Sequence, residues 1–274
     1  DKYKFEITSL REDISTDGRH ALVKFSNNWK KDASRRDFTI NSVYSDKDGN
    51  LFDPYDGKKD LDKGFINFIG DADERIKEDY LRILRYIRFY LEYSKQPHNL
   101  ETIRKIKMNM DGISKLSKER LLDELRKIIK PHVLEKLSRD KLCLEIFSII
   151  FPELKNIVFF YKLSSDKKDM LKEMDFIFIL SLMIVDENDN VDYFLYKFNI
   201  SKKDQRRIRI IDDFYKRPED IHQMLEDSWV PNWKINSQGR NYKDYFDCRS
   251  AIQLDLNNGF EKLVFMQLFG PGES

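Results

Sequence analysis

Glu78-Asp79-Tyr80-Leu81-Arg82-Ile83-Leu84-Arg85 lies inside an apolar-rich run from Ile76 to Tyr93 that reads as one long helix, closed by Pro97. With Asp79 as zero and about 100° per residue, Arg82 falls at 300°, Glu78 at 260° and Arg85 at 240°. The four charged side chains then share an arc of roughly 120°. Almost every other residue from Tyr80 to Leu91 is apolar, with Arg88 at the edge of the stripe. Such a helix is buried over most of its circumference, so its charged strip faces either solvent or a wet cleft. In the first case Glu78–Arg82 pairing one turn apart contributes about 0.3 kcal/mol and nothing more. In the second the strip is a recognition edge. A carboxylate accepts from the exocyclic amine of cytosine or adenine, and a guanidinium donates to the neighbouring ring nitrogen. Uracil and guanine present a carbonyl where that amine would be, and the carboxylate goes unsatisfied.

Outward from this helix the texture divides. Toward the amino terminus Lys4–Thr8, His20–Phe25 and Ile40–Tyr44 alternate as strands, and Leu51-Phe52 follows the turn-rich stretch Asp46–Asn50. Asp48-Gly49 is a hairpin signal. Asp71 and Glu74 have capping-box spacing. Toward the carboxyl terminus Ser117 predicts the cap of a helix running to Ile129, ended by Pro131. Leu134–Phe151, Asp169–Val185, Val191–Phe198 and Lys202–Tyr215 predict further helices, whereas Pro218–Ser274 mixes polar clusters with isolated aromatics and predicts no fold. The expected class is α+β: a head of a few strands over residues 1–70, a helical neck over 71–130, a helical body over 131–217 and a tail over 218–274.

The chain has 274 residues, 41% hydrophobic and 35% charged, with 49 Lys+Arg against 48 Asp+Glu and a net charge of +1. That balance excludes a histone-like polycation and an acidic disordered tail, but a basic groove can hide within a neutral total. Two cysteines, Cys143 and Cys248, are too few for a disulfide scaffold and point to a reducing compartment. No apolar run approaches the length of about 18 residues that a membrane span requires. A cytoplasmic protein without a membrane partner is the expectation. No Walker loop or G-x-G-x-x-G is present, which disfavours kinase and dinucleotide chemistry.

Three more segments carry chemistry, each with a plain alternative. Arg35-Arg36-Asp37-Phe38-Thr39-Ile40-Asn41 leads into an expected strand. It is either a surface ion cluster or a sugar–phosphate contact, with Asp37 accepting from a 2′-hydroxyl and Arg36 neutralising phosphate. Asp53-Pro54-Tyr55-Asp56-Gly57-Lys58-Lys59-Asp60-Leu61 is a turn that caps a helix or a hinge between domains. Lys202-Lys203-Asp204-Gln205-Arg206-Arg207-Ile208-Arg209 is a solvated helix face or, through Arg206, Arg207 and Arg209, a contact to RNA phosphates.

Taken in order, the segments at Arg35, Asp53 and Glu78 resemble motifs B, C and D of the class II tRNA nucleotidyltransferase and bacterial poly(A) polymerase family. Ser117-Lys118-Glu119-Arg120-Leu121-Leu122-Asp123-Glu124-Leu125 resembles its motif E. The resemblance is dense from Phe5 to about Ile129. It implies a partial polymerase-β-like nucleotidyltransferase head on a helical neck and body. The implied reaction is CCA addition to a tRNA or other RNA 3′ end from CTP and ATP, or poly(A) addition by the same machinery. It further implies that Asp79 and Arg82 select the incoming nucleotide, that Glu78 orients Arg82, and that Arg85 lies near the phosphates. Arg36, Asp37 and Asn41 would also bind the nucleotide. Asp53, Gly57 and Asp60 would belong to the hinge region, while Arg120 and Glu124 brace the helices. Two Mg2+ ions are implied, with Glu6 as their third carboxylate. The Gly-rich segment with Asp-x-Asp that precedes these motifs in the family is not found. Asp46-Lys47-Asp48, Asp60-Leu61-Asp62 and Asp71-Ala72-Asp73 do not follow the required strand turn. The expectation is therefore a fragment whose upstream segment carries the metal aspartates, inactive alone; the competing expectation is a non-catalytic RNA- and nucleotide-binding remnant.

Overall fold

The computed structural model describes residues 9–16, 21–163, 165–172, 174–186 and 188–216. The chain packs as two compact units, Asp1–Glu124 and Leu125–Ser274. The expected strand at Lys4–Thr8, the candidate carboxylate Glu6, Cys248 and the tail from 218 onward lie outside the described residues.

In the first unit β1 (Arg11–Thr16) pairs antiparallel with β2 (Ala21–Phe25), Arg11 opposite Phe25 and Thr16 opposite Ala21, with an irregularity between Asp13 and Ser15. Helix α1 (Trp29–Ser34) starts at Asn28, whose side chain accepts from the amides of Lys30 and Lys31. The expected hairpin forms between β3 (Tyr44–Ser45) and β4 (Leu51–Phe52), with Gly49 at a φ of 86° in its turn. Helices α2 (Gly57–Lys63), α3 (Ala72–Glu78), α4 (Arg82–Tyr93), α5 (Leu100–Met108) and the first part of α6 (Lys118–Ile128) follow. Their core is aromatic. The rings of Phe38 and Phe68 lie 4.7 Å apart, those of Phe38 and Phe89 5.4 Å apart, and Tyr86 stacks on Phe68.

Two expectations fail here, for related reasons. Of the expected strand Ile40–Tyr44 only Tyr44 is in a strand: residues Thr39–Asn41 form a 3₁₀ turn, because Asp37 captures the Phe38 amide and Ser42 Oγ donates to the Thr39 carbonyl at 2.7 Å. Nor is Ile76–Tyr93 one helix. It breaks at Asp79, which is extended at φ −154° and ψ 104°. The Asp79 carboxylate accepts from the Leu81 amide at 3.1 Å and its carbonyl from the Arg82 amide at 3.0 Å, so it starts a new helix instead of continuing the old one. Tyr80, in the break, packs on Gly112 so closely that a Cβ there would stand 2.0 Å from the ring. The single helical arc computed for Glu78, Asp79, Arg82 and Arg85 therefore does not exist. Glu78 ends α3, Asp79 lies between helices, and only Arg82 and Arg85 belong to α4.

The second unit holds α7 (Pro131–Arg139), α8 (Lys141–Ile150), α9 (Ser165–Lys172), α10 (Phe176–Ile184), α11 (Asn190–Lys197) and α12 (Lys202–Lys216). The expected helix Leu134–Phe151 is interrupted at Asp140, whose carboxylate accepts from the Cys143 amide. The expected helix Asp169–Val185 is interrupted at Asp175, which accepts from the Phe178 amide. Residues 177–184 of α10 are all buried, a helix apolar on every side. The Asn156 side chain donates to the carbonyls of Leu182 and Val185, satisfying the end of that helix. Cys143 is buried, and burial pushes its thiol well above the ordinary range, which suits an inert core residue. The class is α+β, mainly helical with small antiparallel sheets. No helix among the described residues is long and apolar enough to cross a membrane.

Candidate functional site

Phe38 anchors the first wall of the site. Its ring is fully buried, and the chain around it is pinned to residues 67–69: the Thr39 amide donates to the Asn67 carbonyl and the Ile69 amide to the Asp37 carbonyl, both at 3.0 Å. This sets Asp37 against α4, where Arg85 Nε donates to Asp37 Oδ2. Asp37 Oδ1 accepts from Asn41 Nδ2 at 2.9 Å and from the Phe38 amide at 3.0 Å. Asp37 is only 6% exposed. A 2′-hydroxyl would therefore have to compete with Arg85 for it. Arg36 is more open and donates to Asp32 Oδ2 at 3.1 Å, with its guanidinium over the Tyr44 ring.

Behind this wall stands α2. Asp53 accepts from the amides of Gly57 and Lys58, holding the start of the helix. Gly57 lies so near the Thr39 carbonyl that a Cβ would be 2.0 Å from it. Asp60 Oδ2 accepts from Thr39 Oγ1 at 2.7 Å and from Asn67 Nδ2 at 3.0 Å. Asp53, Gly57 and Asp60 thus buttress the turn that carries Asp37 and Asn41.

The second wall is built from the broken helix. Glu78 Oε2 accepts from Arg82 Nη1 at 2.6 Å and from Arg75 Nη1 at 2.5 Å. Arg82 Nη1 also donates to the Arg75 carbonyl at 2.7 Å. Asp79 Oδ2 accepts from Arg120 Nη2 at 2.7 Å, and Glu124 Oε1 accepts from Arg88 Nε at 2.5 Å. Arg85 feels the charges of Asp37, Glu124 and Asp79, so the two walls share one electrostatic environment. Of the expected nucleotide-binding residues, Asp37, Asn41 and Arg85 form one linked group, Glu78 and Arg82 a second, and Asp79 joins Arg120. Sequence reasoning missed Asp32 and Arg75. Asp32 takes hydrogen bonds from Arg36, from the Arg11 amide and from Tyr44 Oη at 2.7 Å. Their spacings, Asp32 four before Arg36 and Arg75 three before Glu78, were the available signals.

Burial opposes ionisation of Asp37, but the hydrogen bond and charge of Arg85, with the Asn41 and Phe38 donors, outweigh it and hold the carboxyl below the usual range. A folded value below the ordinary 3.8 means stability that is fully present above 3.8 and is lost as pH falls through the folded value. Acid unfolding of Asp37→Asn should therefore start from lower stability at neutral pH and fall less steeply below that point than the parent. Equal acid slopes in urea titrations would remove the pair from the balance.

The described residues do not fit a two-magnesium site at any of the Asp-x-Asp stretches. Asp46 is spent on the amides of Asp48 and Asn50. Asp60 is spent on Thr39 and Asn67, while Asp62 faces Lys58. Asp71 caps α3 and pairs with Lys105, and Asp73 pairs with Lys77 and Asn109. On α12 Arg207 pairs with Asp175 at 2.8 Å and Arg209 with Asp192 at 2.6 Å, while Arg206 is exposed. A phosphate would displace these carboxylates.

Residues 1–67 match the poly A polymerase head domain family. The chain is 51% identical over 127 residues to the human "CCA tRNA nucleotidyltransferase 1, mitochondrial", a match covering 46% of this chain and 29% of that protein. It is 29% identical over 206 residues to the CCA-adding enzyme of Staphylococcus haemolyticus, covering 74% of this chain and 49% of that protein. Thus the chain spans less than a third of the human relative's length. Among solved structures, an apo form of a CCA-adding enzyme superposes with a TM-score of 0.55 at 18% identity, over 97% of this chain and 74% of that chain. That likeness speaks to the fold alone.

Proposed function

We propose that this chain, whose residues 1–67 match the poly A polymerase head domain family and which is similar to a tRNA nucleotidyltransferase over 127 residues, selects CTP and ATP for template-independent addition of CCA to tRNA 3′ ends. The observation that carries the reading is how Arg82 is held. The side chain is 13% exposed and, among the described residues, is committed through Nη1 alone, to Glu78 and the Arg75 carbonyl. Nε and Nη2 keep their donors for a ligand. A guanidinium fixed by one nitrogen and open at the others offers two parallel N–H groups in a set direction.

Asp79 is the complementary acceptor. Each of its oxygens takes one protein donor, from Leu81 or Arg120, and a carboxylate oxygen has a further lone pair. An exocyclic amine of cytosine or adenine fills it; the carbonyl of uracil or guanine meets it with repulsion. Glu78 orients Arg82, and Asp37 orients Arg85 toward the phosphates. Arg36 and Asn41 contact the sugar side. Asp53, Gly57 and Asp60 keep that wall rigid or act as its hinge, and Arg120 and Glu124 brace the helices. The family's metal ions would supply the activation of the RNA hydroxyl, and no step is assigned to them on the described residues. Arg206, Arg207 and Arg209 contact RNA phosphates. We place the protein in the cytoplasm, although the human relative is named mitochondrial; cell fractionation tests the placement.

Two measurements test this reading. In equilibrium binding, CTP and ATP should bind at least about 10-fold tighter than UTP and GTP; equal affinities reject base selection. On tRNA lacking its last three nucleotides, this chain alone should transfer nothing, whereas the chain joined to the family's Asp-x-Asp segment should incorporate C and then A. Incorporation of A alone would favour poly(A) addition, the second reading, which the head-domain match also suits.

A further inference from the structure

We propose that Arg75 is a positioning residue for base selection, tying the backbone before Asp37 to the carboxylate that holds Arg82. The inference rests on the nucleotide-selecting reading above. Arg75 lies one turn before Glu78 in α3 and is mostly buried. Its Nη1 donates to Glu78 Oε2 at 2.5 Å, and its Nη2 donates to the Arg35 carbonyl at 2.9 Å and to the Arg36 carbonyl. Its own carbonyl accepts from Arg82 Nη1 at 2.7 Å. One residue therefore touches both walls of the site: the chain entering Asp37 on one side, and the Glu78–Arg82 pair on the other.

The chemistry of this contact needs a guanidinium. Its planar fork sends separate N–H groups to a carboxylate and to two carbonyls at once. A lysine keeps the charge, but its donors diverge from a single nitrogen and cannot serve both walls. Meanwhile Arg75 Nε is buried with no hydrogen-bond partner among the described residues. A stranded donor is costly, and its retention fits a side chain kept for geometry rather than for stability alone. When Arg75 is shortened or its fork removed, Glu78 loses one of its two guanidinium partners and Arg82 loses a fixed frame. Its free N–H groups then no longer point in one direction.

The test is Arg75→Lys in the full chain, reading dissociation constants for CTP, ATP, UTP and GTP together with thermal unfolding. Positioning predicts that the CTP/UTP and ATP/GTP preferences fall by about 10-fold, with a smaller loss of affinity for triphosphates as a class. A merely structural role would weaken all four nucleotides alike, and a folded variant with parental preferences overturns the inference while leaving the base-selecting reading intact. Absence of any preference in the parent protein instead overturns the base-selecting reading itself. If Arg75→Lys does not fold, Arg75→Gln is read in the same way. Loss of fold in both would assign Arg75 to stability and overturn the inference.

Discussion

Glu124→Ala is expected to destabilise the first unit by about 3–5 kcal/mol, the cost of stranding a buried charge. Glu124 is 1% exposed and Arg88, which donates to it from α4 at 2.5 Å, is 12% exposed. Glu92 lies 3.8 Å from Arg88 and cannot replace the lost carboxylate at that distance. The guanidinium also stacks over Phe89, 4.1 Å from the ring centroid, which with its 12% exposure leaves it little water to replace the lost carboxylate. Urea unfolding followed by circular dichroism measures the loss. The double variant Arg88→Met with Glu124→Leu should recover most of it, because an apolar pair of similar volume carries no desolvation penalty. A cost below about 1 kcal/mol for Glu124→Ala would show that the pair is solvated and behaves as a surface bridge.

Arg82→Ala should erase base preference, lowering the CTP/UTP affinity ratio by about 100-fold or more if the parent ratio is that large. The size of the effect follows from what the alanine leaves behind. Nucleobase ring nitrogens lose their donor, and Glu78 retains only Arg75. Affinity for the triphosphate moiety should change far less, since Arg85 and Arg36 are untouched. Arg82→Lys should restore part of the affinity and little of the preference, because an ammonium gives no pair of parallel donors. Competition binding with the four ribonucleotides separates these outcomes, and an unaltered ratio in Arg82→Ala would take that residue out of base selection.

Much of this site was legible in the residues. Arg82, Glu78 and Asp79 stand out as charges in an otherwise apolar run, and Arg120, the partner of Asp79, belongs to a segment that also stands out, whereas Arg75, a partner of Glu78, does not. The Asp71 cap, the Asp48-Gly49 turn and the helices ending at Ile128 and Lys216 follow from local chemistry: a short side chain reaching the next amides, a glycine at positive φ, and helical spacing. Asp32 and Arg75 were not singled out, because their importance comes from partners far along the chain, such as Tyr44 for the one and the Arg35 carbonyl for the other.

The breaks at Asp79, Asp140 and Asp175 show where pattern alone fails. Each interrupts a continuous apolar period, and each aspartate takes an amide two or three residues ahead. An aspartate inside a periodic run is compatible with two states, a solvated helix position or the start of a new helix, that differ by about 1 kcal/mol in local terms. At Asp79 the choice falls to tertiary contacts: Arg120 engages the free carboxylate oxygen, and Gly112 leaves room for the displaced Tyr80 ring. By itself the sequence determined the helical class, the apolar faces and the identity of the charged residues, because those depend on spacing and side-chain type. Only the folded chain decided which carboxylate meets which guanidinium and where the long helix parts, since both depend on groups far along the chain, such as Arg85 for Asp37, 48 residues away, and Arg120 for Asp79, 41 residues away.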